Sequence, residues 1–177
     1  MGLPGVGKTY VARRLAERID AFHFLSDSIR KQLLGIPVGR RQSDAYGKGI
    51  YKGNIGKKTY DEMLRRARVF LSAGFNVIAD ATFLDEGARH HARRVAAKVG
   101  APALFVFADC PERTVESRLR RRAGEYSFSD ANMEVYRAMK SRFKPPRASR
   151  EIVRIDTSKP LKRSLAKSFG RESIVVA

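Results

Sequence analysis

The first nine residues of the chain, MGLPGVGKT, contain the feature that most restricts its fold. Residues 2–9 match the pattern G-x-x-x-x-G-K-[ST] at every fixed position. In this pattern the glycines let successive backbone N–H groups point into one concavity that wraps a phosphate. Lys8 then bridges the β- and γ-phosphates of a nucleoside triphosphate, and the Thr9 hydroxyl binds Mg²⁺. The sequence therefore predicts a phosphate-binding loop, the P-loop, which opens a helix.

The predicted nucleotide-binding residues are those of the P-loop and of the helix start that follows it. The positive end of this helix dipole adds to the attraction for phosphate. The residues that we expect to surround the nucleotide are Gly2, Pro4, Gly5, Val6, Gly7, Lys8, Thr9 and Tyr10. The predicted cofactors are ATP and Mg²⁺.

Downstream of the P-loop, segments of helical periodicity alternate with short apolar runs, which is typical of an α/β fold. The predicted helices include residues 8–20, 57–73 and 86–99, and the predicted strands are 22–25, 75–79, 103–107 and 151–156. No internal repeat or linker appears, so we interpret residues 1–177 as a single domain. Two further segments have expected roles, a mobile loop at about 36–54 and a lid at about 118–128.

A P-loop normally follows a buried parallel strand, yet only Met1 precedes Gly2. Without that strand, its two neighbours would have unpaired edges. We therefore expect the first strand to be missing from this chain and the native protein to have about five to eight further residues upstream. The alternative is that another apolar segment, such as residues 174–176, fills the position.

Asp27 and Arg30 follow the apolar run 22–25 with a three-residue spacing, which places both on one side of a helix start. A carboxylate there could accept the proton of a substrate hydroxyl, and the arginine could hold the acceptor or the γ-phosphate. The alternative for Asp27 is a helix-capping residue.

Asp80 ends an apolar run, the position at which P-loop proteins place a carboxylate that orients Mg²⁺ through a water molecule or contacts the substrate. The alternative is a residue that only caps the following turn. Arg118, Arg121 and Arg122 occupy the region where a kinase lid would close over the triphosphate. A solvated basic helix face is the alternative for each of them.

These segments together resemble a known group, the AAA-domain kinases related to polynucleotide kinase, zeta-toxin and gluconate kinase. The resemblance rests on the P-loop, on SDSIRKQL (26–33), on VIADATFL (77–84), on CPE (110–112) leading to Arg118 and Arg122, and on SDAN (129–132). GIY (49–51) with TY (59–60) looks most like the ATP-binding module often fused behind an aminoglycoside-phosphotransferase-like domain.

The resemblance implies a doubly wound parallel sheet of the P-loop NTPase, kinase-like type, with ATP and Mg²⁺ as cofactors. It implies that Asp27 and Arg30 face the acceptor and that Arg118 and Arg122 belong to the lid. It also implies that Thr157 lies near the adenine.

The chain has a formal net charge of +18, and each of the stretches 1–50, 51–100, 101–150 and 151–177 carries +3 to +5. Basic clusters stand out at 118–122 and 137–150. No apolar run approaches the roughly 20 residues of a membrane span. Because Cys110 is the only cysteine, no internal disulfide can form. We expect a cytoplasmic protein that does not bind membranes.

The expected function is ATP-dependent transfer of the γ-phosphoryl group to a hydroxyl of a small molecule or nucleotide. One alternative is a 5′-hydroxyl polynucleotide kinase, which the net charge favours, with nucleic acid as the substrate. The other alternative is a non-catalytic NTP-binding or nucleic-acid-binding protein.

Overall fold

The computed structural model describes residues 1–37, 54–123, 132–161 and 175–176, with the backbone only for 122, 123, 175 and 176. The helices are α1 (Lys8–Ile19), α2 (Ser26–Leu33), α3 (Ile55–Ser72), α4 (Glu86–Ala97), α5 (Glu112–Ala123) and α6 (Met133–Lys140). The strands are β1 (Ala21–Leu25), β2 (Asn76–Asp80), β3 (Ala103–Asp109), β4 (Ile152–Asp156) and β5 (Val175–Val176).

Residues on alternate positions of the strands face opposite sides of one parallel sheet, and helices cover both sides. On one side, Val11 and Leu15 of α1 pack against Ile78 and Val106. On the other side, the larger cluster joins α3 and α4 to the sheet. Its buried members include Met63, Leu64, Ala79, Ala92, Phe105 and Phe107. The predicted doubly wound α/β fold is confirmed.

Asp27 does not cap α2, because the N-cap position is Leu25, which makes no side-chain hydrogen bond. Helix α6 begins after Asn132, whose side chain accepts a hydrogen bond from Val135 N at 3.0 Å.

The strand order is β1-β2-β5-β3-β4, so β5 occupies the central position between β2 and β3. Val175 pairs in parallel with Val77 and with Ala103. Farther along the same central position of the sheet, Met1 N donates to the Val106 carbonyl at 2.6 Å and the Met1 carbonyl accepts from Ala108 N at 2.9 Å. The C-terminal valines therefore fill the position expected for the first strand. Whether further residues precede Met1 stays a prediction.

Two predicted segments lie wholly or partly outside the described residues. Residues 38–53 of the expected mobile loop are outside, and so are residues 124–128 of the expected lid. Residues 118–123 form the last part of α5. None of the helices in the described part of the chain has the length and apolar character needed to cross a membrane.

Replacing both Val175 and Val176 by proline removes two backbone N–H groups from the central strand. Because a ladder hydrogen bond contributes about 1 kcal/mol, we expect the free energy of unfolding to fall by about 2 kcal/mol and Tm by roughly 4–8 °C. The matched V175A/V176A variant retains both N–H groups. Calorimetry of the two variants therefore isolates the backbone pairing, and equal melting temperatures would contradict it.

Candidate nucleotide and acceptor site

The P-loop leaves the sheet at the carboxyl ends of the strands and turns into α1. Gly7 is the N-cap of α1 with φ of 93°, a left-handed conformation that glycine adopts without strain. Gly2 approaches the sheet so closely that a Cβ atom there would lie 2.4 Å from the Ala108 carbonyl oxygen. These two positions explain why the loop needs glycine at its beginning and at its end.

The other side of the P-loop packs against α5 and α6. Leu3 and Val6 are buried in a cluster with Val115, Leu119 and Tyr136. Apolar packing therefore fixes the outer side of the loop, while Pro4, Gly5 and Gly7 line the cavity that a phosphate would fill.

Two polar side chains hold the Val6 carbonyl. The Thr157 hydroxyl donates to it at 2.5 Å, and Arg118 Nη1 approaches it at 3.2 Å. Arg118 also donates to the Thr157 hydroxyl at 2.9 Å and to the Thr157 carbonyl at 2.7 Å. Arg118 thus joins α5, the P-loop and the end of β4, which gives it contacts beyond those of a solvated helix face.

Asp80 lies at the end of β2 with its side chain 3% exposed. His23 Nε2 lies 3.2 Å from the Asp80 Oδ2 atom, and the Thr9 hydroxyl lies near enough to this carboxylate to lower its pKa. Burial raises the pKa of Asp80, but the hydrogen bond from His23, the charge of Lys8 and the Thr9 hydroxyl outweigh it. The net result is a pKa below the usual range, so Asp80 is a carboxylate at neutral pH.

Lys8 stays close to its own loop, because its Nζ donates to the Leu3 carbonyl at 2.8 Å. Its positive charge also acts on Asp80. The structure therefore brings the lysine, the hydroxyl and the carboxylate of the predicted phosphate and metal sites into one region.

The expected acceptor residues lie on α2, across the same cavity. Arg30 Nη1 donates to Asp27 Oδ1 at 2.5 Å, and the two side chains are 12% and 21% exposed. Beside them, the Tyr60 hydroxyl lies 3.1 Å from the Thr82 hydroxyl and accepts a hydrogen bond from Phe83 N at 3.0 Å. Burial raises the pKa of Tyr60, so this hydroxyl stays protonated at neutral pH.

Most of these groups line one cavity of about 780 Å³, the first cavity. The predicted residues that line it are Pro4, Gly5, Gly7, Lys8, Thr9, Tyr10, Asp27, Arg30, Asp80, Arg118, Arg121 and Thr157. Gly2 and Val6 lie behind it, where Gly2 N donates to the Thr82 carbonyl and Val6 is 1% exposed. The side chain of Arg122 lies outside the described residues.

Sequence reasoning missed several residues of the cavity wall, among them Tyr60, Thr82, Val135 and Met139. Tyr60 lies on the apolar face of a helix. Its spacing there predicts core packing and gives no indication that its hydroxyl faces a cavity. Thr82 follows the strand-end Asp80 by two residues, and this spacing is the one local signal that pointed to it.

The fold and the site define the class as a P-loop nucleotide-binding domain of the kinase-like type. Its central features are a phosphate loop that opens α1 and a carboxylate that ends β2. The chain belongs to a family of AAA domains, and the match to this family covers residues 1–146. The expected resemblance to the AAA-domain kinases is therefore confirmed.

The chain is similar to uncharacterized proteins of Mycobacterium tuberculosis and Mycobacterium bovis, with 31% identity over 168 residues. The matched region covers 95% of this chain and 33% of each relative. The chain therefore spans about a third of the length of the curated relatives it matches.

Solved kinase structures share the fold. A gluconokinase from Sinorhizobium meliloti is 21% identical with a TM-score of 0.64, covering 95% of this chain and 86% of that one. A sugar kinase from Janibacter is 18% identical with a TM-score of 0.66, covering 95% and 88%. The Mycobacterium tuberculosis APS kinase, solved with AMPPNP and APS, is 19% identical with a TM-score of 0.64, covering 94% and 91%.

Thr157→Val tests the attachment of the P-loop. Valine has a similar shape but cannot donate to the Val6 carbonyl or accept from Arg118, so we expect the free energy of unfolding to fall by about 1–2 kcal/mol. We also expect weaker binding of an ATP analogue. Urea denaturation and titration calorimetry measure the two effects. Thr157→Ser retains the hydroxyl and should behave like the parent protein; equal losses in both variants would contradict the role of this hydroxyl.

Proposed function

We propose that the chain is an ATP-dependent kinase that transfers the γ-phosphoryl group to a hydroxyl of a small molecule or nucleotide. The observation that best supports this proposal is that Asp27 and Arg30 line the same cavity as Lys8 and Thr9. A protein that only binds nucleotide has no need of a carboxylate and an arginine across the cavity from the phosphate loop. A phosphotransferase needs such groups to hold an acceptor.

In this proposal the nucleotide phosphates lie on the P-loop, with the Lys8 ammonium on the β- and γ-phosphates. Arg118 and Thr157 hold the loop in the shape that directs its N–H groups inward. Thr157 and Tyr10, at the edge of the cavity, flank the nucleoside. Arg118 then contributes through the position of the loop, and Arg122 is assigned to the lid on the resemblance alone.

Thr9 and Asp80 are the residues that would hold Mg²⁺. Both supply oxygen atoms, the Thr9 hydroxyl acts on the Asp80 carboxylate, and Asp80 is ionised at neutral pH. Mg²⁺ commonly takes one or two protein ligands and fills its other positions with water and phosphate oxygens. This matches the part of the chain that the structure describes, where no group of three or more His, Cys, Asp and Glu side chains could hold a metal ion. When bound, the ion would neutralise charge on the phosphates.

On the acceptor side, Asp27 takes the proton of the acceptor hydroxyl while the oxygen atom of that hydroxyl forms a bond to the γ-phosphorus. The bond from that phosphorus to the β–γ bridging oxygen breaks, and ADP leaves with the bond's electron pair. Arg30, which holds Asp27 at 2.5 Å, keeps the carboxylate oriented. Its guanidinium can also contact the acceptor or the transferred group.

Lys8→Ala tests the phosphate side. Removal of an ammonium that neutralises developing charge should lower the transfer rate by at least about 100-fold, with the fold intact by circular dichroism. Lys98→Ala, an exposed lysine at the end of α4, is the matched control and should leave the rate unchanged. Undiminished ATP turnover in the Lys8 variant would refute the assignment.

Asp27→Asn tests the acceptor side. The amide cannot take the proton, so we expect transfer to fall by about 10²–10⁴-fold while the Kd for an ATP analogue changes little. Asp61→Asn, on the exposed side of α3, is the control. A non-catalytic nucleic-acid-binding protein would instead show a steeply salt-dependent affinity for oligonucleotides that is indifferent to Asp27→Asn.

The acceptor itself is best identified by a transfer assay with labelled ATP over small alcohols, nucleosides, aminoglycosides and 5′-hydroxyl oligonucleotides. A kinase should release little free phosphate until its acceptor is present. Phosphate release that no compound of the panel changes would count against transfer to a hydroxyl of these classes.

A further inference from the structure

A second cavity, of about 660 Å³, lies outside the site described above. It is bounded by the start of α4, by the end of α6 and by the segment 142–149 that links α6 to β4. This segment belongs to the basic cluster 137–150, to which the proposed reaction assigns no role.

The wall formed by this segment is fixed at several points. The Phe143 ring packs on the Phe107 ring with 5.8 Å between centroids. Pro146 is buried, and its carbonyl accepts a hydrogen bond from Arg154 at 2.6 Å. The Ser149 carbonyl accepts from Ile152 N at 3.1 Å. The cations on this segment are therefore presented by an anchored backbone.

The carboxylates that line the second cavity already have partners. Asp85 accepts a hydrogen bond from Ala88 N at 3.0 Å, as the cap of α4. Glu86 is paired with both Arg89 and Arg93. Arg89 is 6% exposed, and it also donates to the carbonyls of residues 83 and 84 at 2.7 and 2.9 Å.

Three further cations line the cavity without such compensation. Arg142, Lys144 and Arg147 are exposed, and within the described residues none of their side chains has a hydrogen-bond or ion-pair partner. Two acidic groups, Asp85 and Glu86, line the cavity, and Glu151 is paired with Arg93 at 2.8 Å. Against these three negative charges stand Arg89, Arg93 and the three further cations. The cavity thus has an excess of positive charge, which favours an anionic ligand.

The two cavities adjoin each other. Met139 of α6 lines both of them, and Leu84, in the wall of the second cavity, follows Thr82 of the first cavity by two residues. A ligand that extends past Met139 could therefore have one end beside the acceptor residues and the other end beside the three cations.

We propose that the second cavity binds a phosphate group, and that this group is the remote phosphate of the acceptor whose hydroxyl reacts in the first cavity. The part of the proposal that concerns the acceptor rests on the proposed kinase function. Two arginines and a lysine on one anchored segment suit the several oxygens of a phosphate or phosphodiester, because the arginine fork can donate two hydrogen bonds at once.

Binding tests the cavity independently of catalysis. With AMPPNP and Mg²⁺ saturating the first cavity, inorganic tripolyphosphate is titrated into the protein by calorimetry. We expect one further site, weakened by at least about tenfold in R142A/K144A/R147A. The control R68A/R94A/K98A removes three exposed cations elsewhere and should bind as the parent does. No second site, or equal loss in both variants, would overturn the proposal.

Transfer tests the link to the acceptor. Each alcohol of the acceptor panel that has a second hydroxyl is compared with its phosphate ester, in which that second hydroxyl carries the phosphate. A 5′-hydroxyl oligonucleotide is tested beside them. We expect R142A/K144A/R147A to raise KM for the phosphate-bearing acceptors by at least about tenfold, with kcat and the KM of the uncharged alcohols unchanged. A preference for the oligonucleotide alone would identify the phosphate as part of a polymer.

Tripolyphosphate binding without this KM effect would overturn the acceptor assignment and leave a separate phosphate site. Binding without transfer to any acceptor would contradict the kinase proposal instead. The two failures are therefore distinguishable.

Discussion

The site depends on the attachment of the P-loop to the sheet at both of its ends. At one end, Met1 forms two backbone hydrogen bonds with β3, and Gly2 N bonds to the Thr82 carbonyl. At the other end, Thr157 holds the Val6 carbonyl. Because a glycine-rich loop has a high conformational entropy cost on folding, these attachments decide whether its N–H groups converge. The pairing of β5 in the central position of the sheet supports the P-loop in the same way.

The parts of the site that follow from local sequence could be predicted. Residues 2–9 specify their own turn through glycine, and Asp80 is placed by the apolar strand that it ends. The amphipathic spacing of α1 and α3 gave their bounds to within a few residues. The alternative that Asp27 caps α2 is wrong, because β1 leads directly into the helix and its last residue, Leu25, takes the N-cap position.

Contacts between distant elements could not be read from the sequence. His23 and Asp80 are adjacent because β1 and β2 pair in parallel near their ends. Thr157 reaches Val6 because the end of β4 meets the P-loop. Neither pair has a local signal, and the position of Thr157 came only from a family resemblance. The filling of the central position was predicted as one of two alternatives, since short apolar segments carry no information on which gap they fill.

Helix α6 is the element that relates the two cavities. Val135 and Met139 are four residues apart and therefore lie on the same side of the helix. Met139 lines both cavities, and Phe143, four residues farther, continues the row into the second cavity and packs on the sheet. The position of α6 is in turn fixed by its Asn132 cap and by the burial of Tyr136 against the P-loop cluster. The same packing that supports the phosphate loop thus also positions the side of α6 that lines both cavities.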